Sequence, residues 1–192
     1  KQGGAAALAL VLAVPALTYQ SVQAATGIET DRSCSVEFQV DGDFAELKTL
    51  DIDVNLYKVA DVEGTGAYTA LNGFQDLGLD KVSSETTAQE WEEMAGQAAE
   101  LIHDQDMEPA ERAVIEEGTG MAGDLDTGMY LVEARQVQSP EYTYSFTPYL
   151  LSLPNNYYSS TGDDTWVYDV TTGLKPEQEL RYGSIQINKT LD

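Results

Sequence analysis

Apolar residues along much of this chain fall at every second position. From Ser33 to Val40, the residues Val36, Phe38 and Val40 alternate with Ser35, Glu37 and Gln39, the period of a half-buried strand. Leu50, Ile52, Val54 and Leu56 alternate in the same way with Asp51, Asp53 and Asn55, and Tyr57-Lys58-Val59-Ala60-Asp61 completes this second strand. Asp41-Gly42-Asp43 between the two reads as a turn. A calcium loop would continue the spaced carboxylates and close on a bidentate acid, and here they stop at Asp43. Gly64 to Gly66 turns the chain again, and Ala67-Tyr68-Thr69 predicts a short return strand.

The period changes after Thr86. Trp91, Met94, Ala95, Ala98, Leu101 and Ile102 fall on one face of a helix that opens at Thr86-Thr87-Ala88-Gln89, with a threonine cap and acids in its first turns. Such a helix covers one open side of a sheet. Residues 108–117 read as a second short helical or irregular stretch, and residues 118–126 return the chain to the sheets. Strands follow at Gly128 to Ala134, Tyr142 to Leu153 and Trp166 to Thr172, separated by Gly, Pro, Asn and Asp. Asn155 to Asp164 is a polar loop in which Tyr157 and Tyr158 are candidate ligand contacts, with Trp166 beside them. Lys175 follows directly after the last strand. Pro176 is expected to end the pairing there, which places Lys175 on an exposed exit segment. The predicted fold is mainly β: an Ig-like sandwich, residues 33–180, with a helical insertion at 86–117.

Outside that unit, Ala5 to Leu17 is a short apolar run behind Lys1, followed by Val22-Gln23-Ala24. This is the pattern of a secretory signal peptide over 1–24, cut after Ala24, with 25–32 as a polar lead-in. Lys1 in place of methionine makes a fragment of a longer reading frame the expectation. Gly183 to Thr190 starts something new: Ile185, Ile187 and Lys189 share one strand face, so a lysine points where two isoleucines point. Residues 181–192 are the expected start of a second, truncated sandwich.

Composition narrows the function. The net charge of −23 repels phosphate, so nucleic acid is not an expected partner. It suits a solvated, secreted surface protein. Cys34 is the single cysteine, which excludes a disulfide within the chain and reads as a small buried hydrophobe. His103 is the single histidine and sits near the helix end, where a cation suits the dipole. No nucleophile–base set, metal-ligand spacing or phosphate loop stands out, so neither an enzyme nor a cofactor or metal is expected.

The strands from Gly128 to Lys175 carry a resemblance. Gly128-Met129-Tyr130-Leu131-Val132, then Phe146-Thr147-Pro148-Tyr149-Leu150-Leu151-Ser152-Leu153-Pro154, then Trp166-Val167-Tyr168-Asp169-Val170-Thr171 with Lys175 at the family's spacing resemble the N-terminal domain of sortase-assembled pilin subunits of Gram-positive bacteria. The resemblance covers roughly residues 33 to 190, and the last two strand motifs are its specific part. The chain departs at Gly173-Leu174, where the family usually has Tyr-Pro. The resemblance implies that Lys175 is the acceptor that sortase joins to the C-terminal threonine of the next subunit, and that Trp166, Tyr168, Asp169 and Val170 form the pilin-motif strand. Gly183 to Thr190 resembles the first strand of collagen-adhesin B-type domains. There the lysine at the place of Lys189 attacks an asparagine under a buried acid to form an intramolecular isopeptide bond; burial that leaves the amine neutral and the acid protonated suits that chemistry.

For the first domain no such bond is expected. Val40 stands where the lysine would be, and Glu133 lies three residues after Tyr130 rather than four, on the other strand face. Lys48 and Lys58 are the remaining lysine candidates, and Glu133 reads as an exposed strand residue. The implied function is a structural subunit of a cell-wall-attached pilus, secreted, polymerised by sortase and mediating adhesion. Its partners are sortase, neighbouring subunits and a host protein or glycan. The alternative is a monomeric wall-anchored adhesin.

Overall fold

The computed structural model describes residues 27–40, 42–156 and 166–181. The leader at 1–24, the candidate contacts Tyr157 and Tyr158, and the second-domain strand with Lys189 lie outside the described residues.

In chain order the strands are β1 (Cys34–Gln39), β2 (Ile52–Val62), β3 (Tyr68–Ala70), β4 (Glu111–Ile115), β5 (Thr119–Leu125), β6 (Gly128–Ala134), β7 (Val137–Gln138), β8 (Tyr142–Phe146), β9 (Tyr149–Leu153), β10 (Asn155–Asn156), β11 (Trp166–Val167), β12 (Asp169–Thr172) and β13 (Pro176–Leu180). One α-helix, α1 (Ala88–Asp104), lies between β3 and β4. The sheet β12-β1-β5 faces the sheet β3-β2-β6-β9, and β4 pairs with β2. A third sheet, β13-β8-β7, and the β10–β11 ladder flank them. The fold is a mainly β sandwich with one helix inserted.

The larger sheet is buried on both faces along β6, β9 and the middle of β2. Ile52, Val54, Leu56, Tyr130, Val132, Tyr149, Leu151 and Leu153 turn inward to Val36, Phe38, Ala122 and Val170. Tyr57, Val59, Met129, Leu131 and Leu150 point the other way, onto Trp91, Ala95, Ala98 and Ile102 of α1. This explains why β6 and β9 read as nearly continuous apolar runs while β1 alternates: a strand covered on both faces has no solvent side. A bulge between Lys58 and Ala60 turns Ala60 and Val62 toward the helix side. Opposite that bulge, a Cβ at Gly128 would lie 2.5 Å from the Ala60 carbonyl oxygen, so glycine is required there.

Helix α1 starts as its sequence predicts. The Thr87 hydroxyl accepts from the Glu90 amide at 3.2 Å and the Glu90 carboxylate accepts from the Thr87 amide at 2.7 Å, a complete capping box. The helix ends at Asp104, and the remainder of the predicted helical insertion is a turn followed by the strand β4. Glu111, Arg112 and Ala113 are good helix formers, while Val114 and Ile115 are β-branched, so local propensity is divided. The open edge of β2 decides it, pairing Ile52 with Ile115 through Leu56 with Glu111. Ala113 and Ile115 are buried while Arg112 and Val114 are exposed.

Three further boundaries differ from expectation. Residues Gly42–Thr49 form 3-10 turns kinked at Phe44 rather than a simple turn. The strand predicted over Tyr142 to Leu153 breaks at Thr147-Pro148, and its halves join different sheets. Pro176 does not end the pairing: it opens β13, an edge strand running antiparallel to β8 from Pro176 opposite Phe146 to Leu180 opposite Tyr142. Proline is tolerated at the first residue of an edge strand because no ladder donor is needed there.

Three buried tyrosines are tied by their hydroxyls. Tyr68 bonds the Ser152 hydroxyl at 2.7 Å, Tyr130 donates to the Asp126 carbonyl at 2.7 Å, and Tyr144 donates to Glu46 Oε2 at 2.6 Å. Burial pushes the Tyr68 and Tyr144 phenols up to about 12, with the Glu46 carboxylate adding to the shift at Tyr144, and it raises Tyr130 as well. The folded state therefore keeps protons that the unfolded chain releases above pH 10, the model-peptide value. The stability these groups contribute is complete below that pH and is lost as pH rises from 10 to about 12. Urea midpoints measured across this window are expected to fall, with part of the ultraviolet tyrosinate signal appearing only on unfolding. Ionisation of all 11 tyrosines near pH 10 with the fold intact would contradict the assignment.

Candidate functional site

The motif strand does structural work first. Tyr168, Val170 and Thr172 point inward and are buried, while Asp169 and Thr171 point out. β12 runs parallel to β1, pairing Ser35 with Asp169 through Phe38 with Thr172. The Ser35 hydroxyl donates to Asp169 Oδ1 at 2.7 Å, and the Glu29 amide donates to the Tyr168 hydroxyl at 2.8 Å. The Arg32 guanidinium lies 4.1 Å from the centroid of the Tyr168 ring. The lead-in is therefore strapped to the motif strand, and Ile28 is buried with its amide on the Gly64 carbonyl. Trp166, half-buried, packs against both cores. The strand expected over Trp166 to Thr172 is broken at Tyr168: Trp166 lies in β11, paired with β10, while Asp169 and Val170 lie in β12, paired with β1.

Lys175 stands where the chain crosses from β12 in one sheet to β13 in another. Its side chain is 32% exposed, so the expected free exit segment is in fact a held corner. Its Nζ lies 3.6 Å from Glu92 Oε1 on α1 and 5.9 Å from the centroid of the Tyr149 ring. Its carbonyl accepts from the Thr147 amide at 3.0 Å. Two residues earlier, the Tyr149 hydroxyl donates to the Gly173 carbonyl at 2.7 Å. Thr147 Oγ1 donates to Glu177 Oε1 at 3.1 Å just beyond. The result is a primary amine at one end of the sandwich, partly open to solvent, on a backbone fixed before and after it. An amine so placed is a nucleophile once it loses its proton.

No protein family's sequence profile matches this chain, and no curated protein matches it. Its structural neighbours are Gram-positive pilins. The full-length major pilin SpaD of Corynebacterium diphtheriae is similar over 80% of this chain and 32% of its own, at 22% identity and a TM-score of 0.43. The T6 backbone pilin of serotype M6 Streptococcus pyogenes is similar over 77% of this chain and 28% of its own, at 15% identity and a TM-score of 0.45. The SpaE basal pilin of Lactobacillus rhamnosus GG is similar over 76% of this chain and 49% of its own, at 10% identity and a TM-score of 0.44. The chain thus spans about a third of SpaD and T6 and about half of SpaE.

The other candidate residues sit elsewhere. Glu133 is not an exposed strand residue: its side chain is 21% exposed and its Oε1 lies 2.7 Å from Nε2 of His103, joining the last turn of α1 to β6. Lys58 Nζ pairs with Asp61 at 2.6 Å, and the Lys48 stem lies against Gly118. Cys34 is buried, and burial, with Asp169 nearby, pushes its thiol up to about 11, so it stays protonated at neutral pH. Among the described residues no group of three or more His, Cys, Asp and Glu side chains is placed to hold a metal ion, and no helix is long and apolar enough to cross a membrane.

Sequence reasoning missed Glu92, Thr147 and Tyr149. Glu92 belongs to the polar face of α1, and Tyr149 reads as strand filler; nothing in their spacing points at Lys175. The Lys175–Glu92 pair is half open to water and contributes about 0–1 kcal/mol. Glu92→Gln is expected to change the unfolding free energy by less than about 1 kcal/mol in chemical denaturation. A loss of several kcal/mol would mean that the pair braces the fold.

Proposed function

We propose that this chain is the N-terminal portion of a structural subunit of a cell-wall-attached pilus, and that Lys175 is the amine through which sortase joins it to the next subunit. Residues 1–24 act as a cleaved signal peptide, 33–180 form the pilin-type domain, and 181–192 begin a second collagen-adhesin-B-type sandwich in which Lys189 forms the internal isopeptide. The mature protein works at the cell surface, where its partners are sortase, neighbouring subunits and a host protein or glycan contacted from the loop with Tyr157 and Tyr158.

The observation that carries this reading is the coincidence of motif and place. The lysine that closes the motif from Trp166 to Lys175 is also the partly open amine at the sandwich corner, held by Glu92, Tyr149 and Thr147. In the step proposed, neutral Lys175 Nζ attacks the carbonyl carbon of the threonine that sortase carries as an acyl group. The N–C bond forms as the bond between that carbon and the enzyme breaks, and one amine proton leaves to solvent. Lysine supplies a flexible, compact nucleophile for such a step; arginine keeps the charge and cannot deprotonate.

The test is a Lys175→Arg strain. Detergent-boiled wall fractions from wild type are expected to give a ladder of very large species reactive to antibody against this domain, and the variant is expected to lose it while secreting soluble monomer. A ladder unchanged in the variant would move the acceptor to another lysine. A single monomer-sized band in both strains would leave the anchored adhesin.

A further inference from the structure

Three residues, Gly173, Leu174 and Lys175, carry the chain between β12 and β13. Local sequence gives this linker little stiffness at its start, since glycine has the widest backbone freedom. Gly173 does not use a left-handed conformation, and a Cβ there would lie 3.5 Å from the Gln39 carbonyl oxygen, an ordinary contact. The backbone thus does not require glycine at this position, and the order of the linker comes from elsewhere.

It comes from Tyr149, the first residue of β9, which is 3% exposed. Its hydroxyl has one proton, given to the Gly173 carbonyl at 2.7 Å. The Thr172 hydroxyl, 3.1 Å away, must then be the donor in the second bond. One buried phenol therefore closes on the last residue of β12 and the first residue of the linker. Its ring lies under the lysine, with Nζ 5.9 Å from the centroid. The Thr147 amide holds the far end of the linker at the Lys175 carbonyl. Thr147 and Pro148 are themselves the corner at which the chain passes from β8 to β9, so two sheet-crossing corners are buttoned together.

Resting on the acceptor role proposed for Lys175, we propose that Tyr149 is its positioning residue: the phenol clamps Thr172 and Gly173 so that the Lys175 amine is presented in one place. It touches no reacting atom. Its part is to remove the search over linker conformations that an unclamped glycine would add before the amine meets an acyl group on the enzyme.

The test uses full-length subunits expressed in the native host and, purified, for amide exchange. Tyr149→Phe removes the hydroxyl and keeps the ring. Pulse-labelled Tyr149→Phe subunits are expected to enter polymer about tenfold more slowly than wild type. Amide exchange at residues 173–175 is expected to quicken, while exchange in β6 stays as in wild type. Adding Gly173→Ala, which fits the native backbone and restricts the linker, is expected to recover much of the rate, which a general loss of structure would not permit. Should Tyr149→Phe fail to fold, Thr172→Val removes one of the two bonds from the other side and is expected to slow incorporation in the same direction. Incorporation of the folded variant at the wild-type rate, with Lys175→Arg not incorporated, would overturn the positioning role and leave the acceptor standing. Incorporation of Lys175→Arg at the wild-type rate would overturn both.

Discussion

A sheet covered on both faces is the constraint on which this structure depends. β6, β9 and the middle of β2 are covered on both sides: even-numbered residues of β6 such as Tyr130 and Val132 enter the core between the sheets, and Met129 and Leu131 enter the core under α1. Each buried aliphatic or aromatic side chain of this kind contributes about 1.5–3 kcal/mol relative to exposure. A one-residue slip in register would exchange the two sets and ruin both cores at once. Such a sheet cannot slide, and everything attached to its ends inherits a fixed position.

The corner at Lys175 is one of those ends. Tyr149 begins β9 on the inward face, so its hydroxyl is set by the same packing that sets Leu151 and Leu153. Glu92 is set by α1, which is held by Trp91, Ala95 and Ala98 on the other face of the same sheet. β12 is set by its parallel pairing to β1 and by the strap of Glu29 and Arg32 on Tyr168. Three elements with separate reasons for their positions thus converge on one primary amine. Rigid scaffolding around a side chain that remains partly open is what the proposed attachment through Lys175 needs.

Much of this was legible in the sequence because burial on one face writes itself as period two and the helix as period 3.6. β1, the start of β2 and α1, with its Thr87 cap, follow from those periods, and β6 from its continuous apolar run between breakers. The motif from Trp166 to Lys175 was legible as a resemblance. What failed to show was set by tertiary pairing. Residues 111–115 carry divided local propensity and become a strand because β2 has an edge to fill. Pro176 looks like a stop and is a start, because the strand it opens lies at a sheet edge. Tyr149 and Glu92 are separated from Lys175 by 26 and 83 positions in the sequence, and no local pattern marks residues that meet only when sheets and helix have packed. The roles expected of Tyr157, Tyr158 and Lys189 fall outside the described residues.

The central claim is a covalent one, so the most direct measurement reads the bond itself. High-molecular-weight wall material from the native host would be digested with trypsin and its branched peptides sequenced by tandem mass spectrometry. The account predicts a branched peptide in which a C-terminal threonine is joined through an amide to Lys175 Nζ, located by fragment ions that carry the added mass on that residue. A polymer in which Lys175 is unmodified and the branch lies on another lysine would contradict it.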